Sequence, residues 1–261
     1  MTKTILITGA TDGIGLLTAE KMAADGHRIL LHGRNNAKLA KAADSVGGMS
    51  ETYQADLSLM DDVETMAEAI LAKHDHLDVL INNAGILKTP NPKTEAGRDI
   101  RFDVNTIAPY ILTQRLLPIL PKDGRVINLS SAAQAPVDVG AMKSYRPMGD
   151  MDAYAQSKLA ITIWSSEMAI AHPDGPVFVA VNPGSLLASK MVKEGFGVSG
   201  NDLNIGADIL VRAAFSSEFA TASGKYFDND SGRFAPPQAA AANSAHVSEI
   251  MAALVELTGI V

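Results

Sequence analysis

The 261-residue chain contains no cysteine. That removes disulfides, thiolate metal ligands and a cysteine nucleophile together. No apolar run approaches the roughly 18 residues that cross a membrane. The start carries neither the longer apolar stretch nor the small-residue cleavage site of a secretory signal. Positive charge is not in excess either. The formal net charge is -7, which suits phosphate backbones poorly and argues against a nucleic-acid partner. No internal repeat stands out. These absences point to a cytoplasmic protein with no membrane span and no metal centre.

What is present is alternation. Hydrophobic residues make up 47% and charged residues 20%, an ordinary globular balance. The length sits at the upper end of what one core supports, so residues 1–261 are expected to form a single domain. Short apolar runs at 4–8, 28–32, 51–54, 78–82, 125–129, 177–182 and 225–228 read as strands. They are nearly continuous rather than alternating, as strands covered on both faces are. Segments of helical period follow at 14–24, 37–46, 59–73, 98–117, 152–171, 205–215 and 246–257, with Ser58 placed to cap the third. The order predicts an α/β fold: a doubly wound parallel sheet of about seven strands with helices on both faces. Residues 87–96, 132–151 and 191–203 read as long loops, and the Ala- and Pro-rich 235–245 as a surface loop.

Between the first strand and helix lies Thr8-Gly9-Ala10-Thr11-Asp12-Gly13-Ile14-Gly15. Gly9 permits a tight turn. Gly13 lets the backbone approach a pyrophosphate, and Gly15 lets the helix pack close to the sheet. The free N–H groups at the helix start then face the phosphates. The turn is therefore expected to bind a dinucleotide.

The spacing resembles the T-G-x-x-x-G-x-G motif of the short-chain dehydrogenase/reductase family. Further matches follow in the family's order: Asn82-Asn83-Ala84-Gly85, Val104-Asn105, Asn128-Leu129-Ser130-Ser131, Tyr154-Ala155-Gln156-Ser157-Lys158 and Asn182-Pro183-Gly184. The resemblance covers nearly the whole chain. It implies a Rossmann-type oxidoreductase that moves a hydride between a nicotinamide cofactor and a small carbonyl or alcohol. It places Thr11, Asp12, Ile14, Asn83, Ala84, Gly85, Pro183 and Gly184 around the cofactor. The family often has a threonine four residues after that last glycine. Here Ala188 stands there, with Ser189 next.

The second strand ends in His32-Gly33-Arg34-Asn35, without the carboxylate that would hold a ribose 2′-hydroxyl. Arg34 can instead form a charge-assisted fork to a 2′-phosphate. NADP(H) is favoured, with NAD(H) possible, because Asp12 occupies a place that is basic in many NADP-preferring relatives. Asp56, before Leu57, matches the family residue that bonds adenine. It could equally cap the next helix.

Tyr154 and Lys158 are four apart on a predicted helix and so share a face. The resemblance makes Tyr154 the acid in reduction and the base in oxidation. Lys158 then lowers its pKa and holds the ribose, Ser131 holds the substrate oxygen, and Asn105 holds a water leading to solvent. Lowering a phenol by about three units takes roughly 4 kcal/mol. Ser130 rivals Ser131 for its role. The loops near 132–151 and 186–203 are expected to cover a mainly apolar substrate. The long spacing from Ser131 to Tyr154 and the Gly224-Lys225-Tyr226-Phe227 segment resemble retinol-dehydrogenase-like members. The family's dimer face, formed by the helices bearing Asn105 and Tyr154, suggests a homodimer or homotetramer, although an insertion before the tyrosine can obstruct it. The alternative to an enzyme is a catalytically inactive NAD(P)-binding regulator of the same fold.

Overall fold

The structure, a computed structural model, describes residues 1–260. Residue 261, the end of the expected domain, and the side chains of Glu194 and Phe196, inside the expected 186–203 loop, lie outside the described residues. Seven strands run parallel: β1 (Thr4–Ile7), β2 (Arg28–Gly33), β3 (Ser50–Gln54), β4 (Val79–Asn82), β5 (Arg125–Leu129), β6 (Val177–Asn182) and β7 (Tyr226–Asp228). An eighth, β8 (Arg233–Ala235), which the sequence did not suggest, pairs antiparallel with β7. The order is β3-β2-β1-β4-β5-β6-β7-β8. It reverses between β1 and β4, opening a crevice at the strands' C-terminal ends, where ligands of such sheets bind.

Alternate residues of each strand feed opposite layers. Ile5, Ile7, Ile29 and Leu31 join one core with α1 (Gly13–Ala24), α2 (Asn36–Val46) and α9 (Leu203–Phe215). Leu6, Leu30, Leu80 and Phe178 join the other with α3 (Met60–Leu71), α5 (Ala108–Leu116) and α7 (Asp150–Ala171). Covering both faces explains why the strands read as unbroken apolar runs.

Two local expectations are corrected. Ser58 does not cap α3. The helix starts at Met60 without a side-chain cap, while the Ser58 amide and hydroxyl both donate to Asp56 Oδ1, at 2.9 and 2.7 Å. The expected 98–117 helix is interrupted. A short α4 (Ile100–Phe102) passes into a widened turn over Asp103–Ile107 before α5 begins. Ala108 N–H bonds Asp103 O, five residues back, and Pro109 has no N–H for the Asn105 carbonyl. Such wide turns concentrate at functional sites. The predicted loops also hold short helices, α6 (Val139–Lys143) and α8 (Lys190–Phe196).

From Ala153 to Met168 most of α7 is buried. Part of this cover comes from α6 and the last helix, α10 (Ser244–Thr258), whose Val247, Ile250 and Leu254 join Met142, Ile161 and Trp164 in one cluster. Trp164 meets Tyr110 of α5 edge-on, with centroids 5.8 Å apart. Among the described residues no helix is long and apolar enough to cross a membrane.

Candidate active site

The glycine turn after β1 is built as its spacing demands. Gly9 and Gly13 have φ of 66° and 56°, a region that favours glycine. A Cβ at Gly15 would lie 2.4 Å from both Gly9 O and Asn83 Nδ2. The Asn83 amide donates to Thr8 O at 2.8 Å and Gly9 O at 3.1 Å, and Ala84 N–H donates to Thr8 Oγ1 at 3.1 Å. The turns after β1 and β4 are thus stitched into one wall of the crevice. Ile14 packs beside Gly206 of α9, and Thr11 beside Gly33.

His32, which the sequence offered only as a neighbour of a missing carboxylate, is buried beneath this wall. Its Nδ1 accepts Gly9 N–H at 3.1 Å, so its Nε2 carries the proton and donates to Ala55 O at 3.1 Å. Burial lowers its pKa to about 4, and it stays neutral.

The predicted cofactor residues divide by position. Asp12 caps α1, accepting Gly13 N–H at 2.8 Å, and lies 4.0 Å from Lys38. Arg34 lies 3.9 Å from the free carboxylate oxygen of Asp56. Arg34 and Lys38 stand four apart at the exposed start of the second βα unit. Lys38 was missed from the sequence, although its spacing from Arg34 was there to read. Leu57 is 3% exposed and belongs to the core, so its side chain does not line the crevice. Gly184 has φ of 127°. The turn it shares with Pro183 is held by Asn229, whose amide donates to Pro183 O at 2.9 Å, and by Asp230, which accepts both the Ser185 amide and its hydroxyl.

The chemistry-bearing residues converge. Lys158, 3% exposed, donates from Nζ to Leu129 O at 2.7 Å, and lies 5.6 Å from the Tyr154 ring centroid. A Cβ on Gly85 would sit 3.5 Å from Lys158 Nζ and 3.4 Å from Asn105 Oδ1. Ser131 follows β5, beside the Tyr154 phenol. Ser130, its rival, is turned inward. It is 3% exposed and bonded to Thr162 Oγ1 at 2.6 Å and to Lys158 O at 3.2 Å. Asn105 uses its whole amide internally. Its Nδ2 donates to Ile86 O and Ser157 Oγ, both at 2.9 Å, and its Oδ1 accepts Ile86 N–H at 2.8 Å.

The segment containing α8 lies over this crevice. Its N-cap, Ser189, faces Gly13, and Met191 approaches Gly85. Ala188, at the family's threonine position, donates its N–H to Asn201 O at 2.7 Å.

The cradle fits a dinucleotide. Side chains are excluded where a pyrophosphate must approach, and the start of α1 points into the crevice end of the sheet. The electrostatics differ from the sequence expectation. Burial pushes the Tyr154 phenol above its usual value, with Ser131 working against it, and pushes Lys158 down to about 7. Lys158 does not dominate the phenol, because burial disfavours the charged forms of both.

A stability prediction follows from Lys158. Its folded pKa of about 7 lies below the unfolded value of about 10.4, so the unfolded chain binds more protons between the two and stability rises with pH across that window. Lys158→Met should raise the urea midpoint most below a pH of about 7. The gap should close as pH approaches about 10. An equal gap at both ends of the window would contradict a buried amine without a counter-charge.

Comparisons with known proteins give the family. The family model described as short chain dehydrogenase matches residues 3–196. Retinol dehydrogenase 13 of Homo sapiens is 30% identical over 262 aligned residues, covering 91% of this chain and 79% of that protein. The landomycin C-6 ketoreductase LanV, solved with bound NADP and rabelomycin, is 28% identical. It superposes with a TM-score of 0.69 over 87% of this chain and 94% of its own. An uncharacterized protein from Mycobacterium paratuberculosis is 27% identical and superposes with a TM-score of 0.82 over 99% and 94%.

Proposed function

The chain belongs to the short-chain dehydrogenase family and is an NAD(P)-dependent oxidoreductase acting on CH–OH and C=O groups; from that premise we propose that it uses NADP(H) to reduce, and in reverse to form, a carbonyl on a small, mainly apolar molecule. The observation that carries this reading is the meeting of Tyr154, Lys158 and Ser131 beside the glycine turn. Residues 1–261 are read as one catalytic unit.

When bound, the nicotinamide supplies the hydride in reduction and receives it in oxidation. Gly9 to Gly15 hold the pyrophosphate, Asn83 to Gly85 line the cleft, and Pro183 and Gly184 shape the nicotinamide end. Tyr154, kept protonated by burial, gives its proton to the carbonyl oxygen, while the Ser131 hydroxyl holds that oxygen in place. Lys158, near 7, can pass a proton on at neutral pH. The Asn105 side chain is fully engaged, so the group left for a relay water is its backbone carbonyl, which Pro109 leaves without the usual donor.

Two cations support NADP(H). Arg34 and Lys38 flank the place where a 2′-phosphate would sit, and Lys38 offsets the Asp12 carboxylate. Support for an apolar substrate comes from Met191, which reaches Gly85, and from the exposed Leu186 and Val198 in the flanking segments. The LanV structure was solved with NADP and rabelomycin bound, and the curated relatives include retinol dehydrogenases.

Against the assembly expected through the helices bearing Asn105 and Tyr154 stands α10, which packs against α7 and carries α6 beside it. We read the working unit as a monomer.

Three measurements test these readings. A panel of apolar aldehydes, ketones and alcohols, followed by NADPH and NADH absorbance, should give turnover. Tyr154→Phe should lower it by roughly 10²–10⁴-fold with cofactor affinity retained. Binding without turnover across the panel would favour an inactive regulator instead. Arg34→Asp should raise the KM for NADPH by about 10- to 100-fold and leave that for NADH nearly unchanged. An unaltered preference removes Arg34 from the site. Light scattering should give the mass of one chain, and a dimer would reject the monomer reading.

A further inference from the structure

Ser131 has a second set of partners that the reaction scheme above does not use. Its backbone carbonyl accepts the Gln134 amide from Nε2 at 2.9 Å and the Tyr226 hydroxyl at 3.1 Å. The two donors come from distant segments, and the Gln134 side chain and the Tyr226 hydroxyl also bond to each other. Gln134 belongs to the loop after β5, and Tyr226 opens β7. Gln134 is itself anchored, because its Oε1 accepts Gln238 N–H at 3.0 Å. Its Nε2 also lies 3.3 Å from Ser130 Oγ. Tyr226 is 7% exposed. Burial, together with Asp228 and Asp230, keeps its phenol protonated, so towards Ser131 it is a donor. Tyr226 and Gln238 both lie beyond residues 3–196, the part that matches the family model.

We propose that Tyr226 and Gln134 are positioning residues that together lock the peptide plane of Ser131, and so aim its hydroxyl at the substrate oxygen. A carbonyl oxygen has two lone pairs, and here both are taken by neutral donors fixed in separate elements. Rotation of the peptide would break both bonds. The side-chain direction of Ser131 follows that plane, and a catalytic donor displaced by about 1 Å loses much of its effect. The third part of the chain, from β7 to the turn before α10, thereby reaches the reacting oxygen without touching it. This inference rests on the reading that Ser131 holds that oxygen.

The test compares three substitutions for turnover with saturating NADPH, for KM, and for NADPH affinity by fluorescence. Tyr226→Phe removes only the hydroxyl. Gln134→Glu keeps the acceptor for Gln238 N–H but replaces the donor with a carboxylate facing the Ser131 carbonyl. Gln134→Ala removes both. Tyr226→Phe should lower kcat by about tenfold, and Gln134→Glu should lower it at least as much as Gln134→Ala. NADPH affinity should stay at the wild-type value in all three. If the Gln134 side chain serves only to tether Gln238, Gln134→Glu will behave as wild type while Gln134→Ala falls, and the proposal fails. It fails equally if Tyr226→Phe and Gln134→Glu both keep wild-type kcat, or if the loss lies in NADPH affinity. Wild-type protein that turns over no carbonyl would overturn the proposed function, and this inference with it. An active wild type with unaffected variants overturns this inference alone.

Discussion

A primary amine held out of water with no carboxylate beside it is an unusual object. Among the described residues, Lys158 has one polar partner for its Nζ, the carbonyl of Leu129. Burying an ammonium is costly, and much of the surrounding architecture serves to keep that group where it is. Asn105 bonds both the segment after β4 and Ser157 of α7, which fixes the helix against the sheet. Thr162 and Ser130 tie the next turn to the end of β5. On another face α10 packs against α7.

The glycine turn obeys the opposite constraint, closeness rather than isolation. Gly15, Gly9 and Asn83 are packed so tightly that no side chain could be added. Their conformation is held from below by the neutral ring of His32. A rigid, positively polarised turn and a dry amine are thus brought to the same end of one sheet by its reversal between β1 and β4. The residues that complete the site come from the start, middle and last third of the chain.

Much of this was legible in the sequence, because the strongest signals are local. Strands buried on both faces show as continuous apolar runs, and a tyrosine and lysine four apart on a helix must share a face. Choosing Ser131 rather than Ser130 rested on the family resemblance; in the structure Ser130 bonds inward to Thr162 and Lys158, while Ser131 lies beside the Tyr154 phenol. What stayed hidden depends on distant partners. β8 is three residues long and exists by pairing with β7. Ser58 looked like a helix cap, but the helix begins only at Met60, with Leu59 at the cap position. The direction of the Tyr154 shift could not be read either. It depends on how completely other segments shut out water, and no spacing within Y-x-x-x-K encodes that. Lys38 was readable and overlooked. The partners of the Ser131 carbonyl were not, since Tyr226 lies 95 positions away.

The cover that α6 and α10 place over α7 also bears on how such a chain can drift. A face shared between two identical copies must be complementary to itself, so each substitution is felt twice across the symmetry axis. Here α7 and α10 of the same molecule pack together, and Trp164, Ile161, Val247, Ile250 and Leu254 share one core. A change on one side can be answered by a single change on the other. Within one molecule the terminal helix and α7 can thus co-vary without the doubled constraint of a symmetric contact.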